Sequence, residues 1–291
     1  MNDHSAAWAN GALVGDSVEA LRNIENVFTV GLIATPREAF RTCQADEQLA
    51  HVVERYRSEQ FDFLPVIEAS DDQIIGLIEL VAFMGQPVGE GDLVSRHMQP
   101  LSEKNLIGND AGILDFIRHA DHHRCRLVIE GRRIAGLVTL SDLQRLPVRA
   151  VLFTMVTHLE ILMAEFIRRD CPKWLKRLPT EQQRKIRRQV EKSRQEDSFV
   201  DELLLTNFSD KATIIQQGGS PLVSTGEFAH DLERVRGLRN ALAHADHYAA
   251  SRRDAIETCE TVRIIDRWIE LFARYSDAAT PSLPHSESPG L

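Results

Sequence analysis

Three residues in the last quarter of the chain have the types needed for acid–base chemistry beside an anion. Arg239, Asn240 and His244 fall in the string Arg239-Asn240-Ala241-Leu242-Ala243-His244. A histidine titrates near neutral pH and can take or give a proton. An arginine keeps its charge and presents a planar fork of donors that suits a phosphate. Asn240 stands one helical turn before His244, so it can orient the imidazole or a substrate. A second pair, Thr139 and Asp142, offers a hydroxyl and a carboxylate at a strand end and the start of a helix. Unpaired N–H groups and the positive end of the helix dipole gather at such a start. These residue types also cap helices, so ligand contact and cap stand side by side as readings of Thr139 and Asp142.

The elements that carry these residues follow from hydrophobic period. A helix is predicted over about 225–248, with Phe228, Leu232, Val235, Leu238 and Leu242 on one apolar arc. Arg236, Asn240, His244 and His247 form a separate polar stripe. Arg239 projects within the apolar arc, where a full charge is costly unless paired. Either a carboxylate such as Asp201, Glu202 or Glu160 meets it, or its face is an interface with polar groups opposite. Upstream, 147–170 reads as one long amphipathic helix led by Val151, Val156, Leu159, Leu162, Met163 and Phe166. Residues 171–195 carry nine Lys/Arg against two Glu, a solvated face or an RNA-tracking surface. Further helices are predicted at about 199–217, ended by Gly218-Gly219-Ser220-Pro221, and at 251–275. Helices of this length joined by short loops make an all-α bundle.

The R-N-x-x-x-H string is a form of the R-x4-H motif, and the stretch 149–276 resembles a HEPN domain. The preceding Leu-Leu-Leu-Thr-Asn-Phe-Ser-Asp-Lys-Ala-Thr-Ile-Ile run is similar to the helix before the motif helix in several HEPN families. The resemblance implies a homodimer in which motif helices meet, and metal-independent cleavage of RNA. RNA carries its own nucleophile, the 2′-OH. His244 would move the proton, Arg239 would hold the scissile phosphate, and Asn240 would orient one or the other. Arg239 and His244 lie about 140° apart around one helix, so a composite site across two chains would bring them together. The expected products are a 2′,3′-cyclic phosphate and a 5′-OH. Some HEPN domains keep the motif for dimerisation alone, which is the rival reading.

The first half repeats itself. Residues 46–83 and 110–146 each run from an acidic residue through a short amphipathic helix to two β-rich pulses. Leu49, Val52, Val53 and Tyr56 mark the first helix, and Ile113, Leu114 and Ile117 the second. Both second pulses carry the same step, Gly76-Leu77-Ile78 and Gly136-Leu137-Val138. Each copy resembles a CBS domain, and residues 27–147 resemble a CBS pair. The stretch Gly136 to Leu143 matches that family's G-h-h-T-x-x-D-h signature. The resemblance implies a regulatory adenine nucleotide (AMP, ADP or ATP) or S-adenosylmethionine, with no cofactor needed for catalysis. Thr139 and Asp142 would contact phosphate and ribose, with Asp142 able to take both ribose hydroxyls. Gly136 belongs to the signature, and Ile107 to Asp110 with the strand around Arg126 would supply the adenine pocket. The first copy departs from the pattern: Glu79 stands for the Thr and Ala82 for the Asp. At most one adenosine-type site per chain follows.

The fold class expected is therefore an α+β pair of βαββα-type repeats followed by an all-α helical bundle. Boundaries read as 1–26 for an amino-terminal segment, 27–147 for the pair (copies at about 27–85 and 91–147), 148–276 for the helical half and 277–291 for a disordered tail. Pro147-Val148-Arg149 joins the two with almost no linker. The 291 residues carry 34 Lys+Arg and 43 Asp+Glu, a net charge of −9. That average disfavours nucleic acid as partner, though the basic run 171–195 escapes it. Cys43, Cys125, Cys171 and Cys259 form no C-x-x-C pair, so neither a disulfide scaffold nor a Cys-based zinc site is expected. No H-E-x-x-H occurs, and no metal is assigned to the adjacent His122 and His123. No membrane span is expected from the apolar pattern, and the start of the chain does not resemble a signal peptide. The expectation is a cytoplasmic homodimer, a nucleotide-gated ribonuclease of toxin or defence type with RNA as substrate and room for an antitoxin partner. The alternative is a non-catalytic regulator built from the same two modules.

Overall fold

A computed structural model describes residues 12–59, 61–70, 72–195, 201–218 and 226–277. The tail after Asp277, the start of the amino-terminal segment, the residues after Gly218 in the expected helix stop, and the expected helix starts at 199 and 225 lie outside them.

The chain divides into two compact units. One holds Glu25–Arg149 and Ala249–Cys259. The other holds Ala150–Tyr248, Glu260 onward and the described residues up to Ile24. The sequence suggests one cut at 147–148; the chain crosses between units again at 248–249 and 259–260. Small side chains permit that return, since Ala249 and Ala255 are buried within the first unit.

In the first unit each repeat builds one four-stranded sheet. After strand β1 (Thr35–Pro36), the first repeat runs β2 (Cys43–Gln44), α2 (Leu49–Tyr56), β3 (Phe63–Ile67) and β4 (Ile74–Glu79), with α1 (Ala12–Val27) preceding all of them. After β5 (Gln99–Pro100), the second runs β6 (Leu106–Gly108), α3 (Ile113–His119), β7 (Cys125–Glu130) and β8 (Arg133–Thr139). The sheet orders are β2-β3-β4-β5 and β1-β8-β7-β6. The repeats thus exchange edge strands: β1 lies near the start of the first copy but pairs with β8, and β5 lies near the start of the second but pairs with β4. The shared Gly-Leu step is explained by this exchange. A Cβ on Gly76 would sit 2.5 Å from Gln99 O, and one on Gly136 would sit 2.7 Å from Thr35 O. Only glycine lets the visiting edge strand approach.

The apolar faces of α2 and α3 are buried, including all seven residues picked out by their spacing. Ile67, Ile74, Leu77, Cys125, Leu127 and Leu137 form a core shared by the two sheets, with Phe40 and Phe63 at its edge. The closing helix expected of each repeat is a short 3-10 turn instead, Leu80–Ala82 and Leu140–Gln144. In the second copy Arg145 is already extended. The next helix begins at once, with Pro147 in its first turn, where the missing N–H costs nothing.

The second unit is helical: most of α4 (Leu146–Asp170), then α5 (Thr180–Gln195), α6 (Phe208–Gln216), α7 (Gly226–Ala243) and most of α8 (Arg252–Asp277). By length and composition α4 is apolar enough to cross a membrane, contrary to the reading of the sequence. Most of its apolar window is buried, as in the core helix of a bundle; Val151, Leu152, Val156, Leu159, Met163 and Ile167 are all at most 1% exposed. On α7, Asp231 is buried and accepts from Trp268 Nε1 of α8 at 2.9 Å. Phe228 meets the Trp268 ring edge-on at 4.6 Å, clamping α8 to α7. The four cysteines are free and buried.

Candidate functional site

Strand β8 ends at Thr139, whose backbone is extended where the 3-10 turn begins. The Thr139 N–H donates to Asp142 Oδ2 at 2.7 Å, and its hydroxyl donates to the same oxygen at 3.1 Å. Arg145 Nε donates to Oδ1 at 2.7 Å. The cap and the candidate ligand contact are therefore the same residues. Asp142 is buried, and burial pushes its carboxyl up against the pull of these donors. A carboxylate offers about four acceptor positions. Three are used, so Asp142 has room for one ribose hydroxyl, not both.

Thr139 and Asp142 line a cavity of about 430 Å³. That volume lies within the usual range of small-molecule sites. Phe40, Phe61 and Phe63 give it an aromatic wall, and Arg41, Arg124, Arg145 and Arg252 bring positive charge against Asp62 and Asp142. Ser141 adds a hydroxyl 2.7 Å from that of Thr139. Rings suit a base, guanidinium groups suit a phosphate, and the hydroxyls suit either phosphate or ribose.

Four residues expected at this site are not on the cavity. Ile107 is buried in β6 opposite Val128. Asp110 is exposed in the turn before α3. Arg126 lies on β7 opposite Val138, and its Nε is buried without a hydrogen-bond partner. Gly136 serves the approach of β1. The cavity is lined instead by Phe40, Arg41, Phe61, Phe63, Arg124 and Arg252, among others. Periodicity gives no signal for these residues: most sit at element ends, and Arg252 comes from beyond the repeats.

The pairing register makes Glu79 the equivalent of Thr139, since Phe63 faces Glu79 as Cys125 faces Thr139. Glu79 lines a second cavity of about 480 Å³ with Lys104, His122, His123 and Arg124. Its carboxylate pairs with Arg124 at 2.7 Å, and burial pushes its pKa up. A phosphate entering there would meet that carboxylate, as the departure of the first copy from the signature implies. Among the described residues no group of His, Cys, Asp or Glu is arranged to hold a metal.

In the helical unit, Arg239 finds a carboxylate within its own chain. Its Nε lies 3.5 Å from Glu160 Oε1 on α4, one of the partners considered from sequence. Glu160 Oε2 also lies 3.8 Å from Lys211 Nζ, which is buried and donates to Thr206 O at 2.6 Å. Arg239 NH1 donates to Asn240 Oδ1 at 3.5 Å, and Asn240 is exposed. The charge of Arg239 is balanced without a second copy. His244 is exposed and lies just past α7, which stops at Ala243 rather than 248. Ala245 takes a left-handed conformation (φ 56°), and the Asp246 N–H closes back on Ala241 O at 2.9 Å. That closure ends the helix in the manner of a Schellman turn, so His247 leaves the polar stripe.

No protein-family model matches this chain, and no curated protein matches it. Solved structures match over about its amino-terminal half. The CBS domain of a bacterial CNNM/CorC family Mg2+ transporter, in complex with ATP, is 21% identical with a TM-score of 0.36, covering 44% of this chain and 90% of that one. CBSX2 from Arabidopsis thaliana, a CBS-pair protein, is 20% identical with a TM-score of 0.35, covering 43% of this chain and 94% of its own. A CBSX2 structure in complex with AMP is 20% identical with a TM-score of 0.34, covering 43% and 96%. Over that part alone, this chain is similar to CBS domain structures.

Proposed function

We propose that the protein is an adenine-nucleotide-responsive regulator, with the nucleotide seated beside Thr139 and Asp142. The observation that carries this reading is one cavity lined by the rings of Phe40, Phe61 and Phe63, four arginines and the hydroxyls of Thr139 and Ser141. The base stacks on the rings, one ribose hydroxyl takes the free position on Asp142, and the phosphate meets Thr139, Ser141 and arginine. Calorimetric titration with AMP, ADP, ATP and S-adenosylmethionine tests it. Binding by the wild type that is lost in Asp142→Ala is expected; no binding of any of the four overturns the reading.

For the helical half the reading is metal-independent RNA cleavage by a homodimer. It is supported by the shared exposure of Asn240 and His244, with Arg239 reaching Asn240 from the preceding position. In this mechanism His244 takes the proton from the 2′-OH, and the resulting alkoxide attacks the adjacent phosphorus. The P–O5′ bond breaks, and the 5′-oxygen leaves as 5′-OH by taking up the proton that His244 removed. Arg239 stabilises the added negative charge. The wide angle between Arg239 and His244 is the remaining reason for a second copy. The test is incubation with labelled RNA in EDTA, with and without AMP, beside His244→Ala and Arg239→Ala. Cleavage by wild type and loss in both variants is expected. No cleavage under any of these conditions overturns the enzyme reading in favour of a non-catalytic regulator.

A further inference from the structure

The wall of the nucleotide cavity is not made by the repeats alone. Ala249, Ala250, Ser251, Arg252 and Ala255 line it as well, although they follow the second repeat by a hundred residues. The segment is seated rather than loosely draped. Ala249 is 3% exposed, and its carbonyl accepts from Gln144 Nε2 at 2.5 Å. Gln144 closes the same 3-10 turn that carries Thr139 and Asp142. The three alanines leave space in the cavity, and the one long side chain among them is a cation.

The charges around the cavity are unequally engaged. Arg145 is bonded to Asp142 at 2.7 Å and Arg124 to Glu79 at 2.7 Å. Arg41 has Glu59 at 4.0 Å. Arg252 is exposed and has no ion pair among the described residues, and its charge pulls the Glu79 carboxyl down against the upward push of burial. Its neighbour Arg253 turns away to Glu257 at 2.9 Å. The first turn of α8 is already capped: the Ser251 N–H donates to Asp254 Oδ2 at 3.0 Å, and the Asp254 N–H donates to Ser251 Oγ at 3.2 Å. What the segment adds for a ligand is therefore the Arg252 guanidinium.

We propose that Arg252 is a phosphate contact of the nucleotide held by Thr139 and Asp142, and that the ligand fixes the segment Ala249–Arg252. The inference rests on the nucleotide reading above and adds its regulation. The segment begins five residues after His244, so occupancy is felt in the stretch of chain that follows the R-N-x-x-x-H string.

Titration of adenosine and AMP against wild type, Arg252→Ala, Arg252→Lys and Arg253→Ala tests this. Arg252→Ala weakens AMP on the order of tenfold or more and leaves adenosine unchanged, as expected for a lost charge-assisted hydrogen bond. Arg252→Lys recovers part of the loss, and Arg253→Ala, which removes the same charge one residue on, binds AMP as wild type does. AMP also slows amide exchange across residues 246–255 of the wild type. Unchanged AMP affinity in Arg252→Ala, or unchanged exchange with AMP bound, overturns the proposal while leaving the nucleotide reading intact. Failure of the wild type to bind AMP, ADP, ATP or S-adenosylmethionine overturns both.

Discussion

Glu160 serves two cations, and its removal separates their roles. Lys211 is 4% exposed, and burial holds its pKa down while the Glu160 charge pulls it back up. Without the carboxylate a buried ammonium is left beside Arg239. Removing one partner of a buried pair is worth about 3 kcal/mol. Glu160→Ala is therefore expected to lower unfolding stability by about that much, measured by urea denaturation. Lys211→Met in the same chain recovers most of the loss, because the stranded charge is gone. If Glu160→Ala is as stable as wild type, the pair is not holding α4 to α6 and α7. The apolar arc of α7 marks Arg239 as needing a partner, and Glu160 is one of three carboxylates that the sequence offers it. The lysine sharing it was not visible, since nothing in its sequence neighbourhood departs from an ordinary amphipathic helix.

Among the elements, α5 keeps its charge on the outside. Ile186 and Val190 are buried, while Arg184, Lys185, Arg187 and Arg188 are exposed on the opposite side. If that face tracks RNA, each phosphate contact contributes to the fall of affinity with salt. Arg184→Glu with Arg188→Glu is expected to weaken RNA binding and flatten its salt dependence, measured by filter binding from about 50 to 200 mM salt. An unchanged salt slope assigns the face to solvation alone. The elements of the repeats were largely readable, because strand and helix periods are local properties. Their closing helices were not: in the second copy the signature Thr-x-x-Asp predicts where a turn starts, and Asp142 bonds both Thr139 and Arg145 across it, while the first copy makes a short 3-10 turn without that pair.

For the whole molecule, pH acts through groups of opposite sign. His158 is buried, and burial holds its pKa below its ordinary value of 6.5. On unfolding it can take a proton there. Its contribution is complete above about pH 6.5 and is lost as pH falls through the folded-state pKa. Asp142 and Glu79 are pushed up, so their contributions are present below their unfolded values and lost as pH rises through the folded ones. The His158 part of the stability is expected to decline as pH falls below about 6.5, by at most about 1.4 kcal/mol per pH unit for one proton. His158→Gln flattens that part of the profile in urea melts at a series of pH values. A slope that survives the substitution assigns the effect to other groups.

By itself the sequence determined the two repeats, their buried helix faces, the glycine step in both second strands and a helical second half. Each of these is a spacing rule acting over a few residues, and burial simply obeys it. It also contained the net charge of −9 and the basic run that departs from it. Only the tertiary structure decided that β1 and β5 change places, that Glu160 answers Arg239, and that Ala249–Arg252 returns to line the cavity of Thr139. Those pairings join residues far apart in the chain. No local period encodes them; they are set by which surfaces remain to be covered once the local elements have formed.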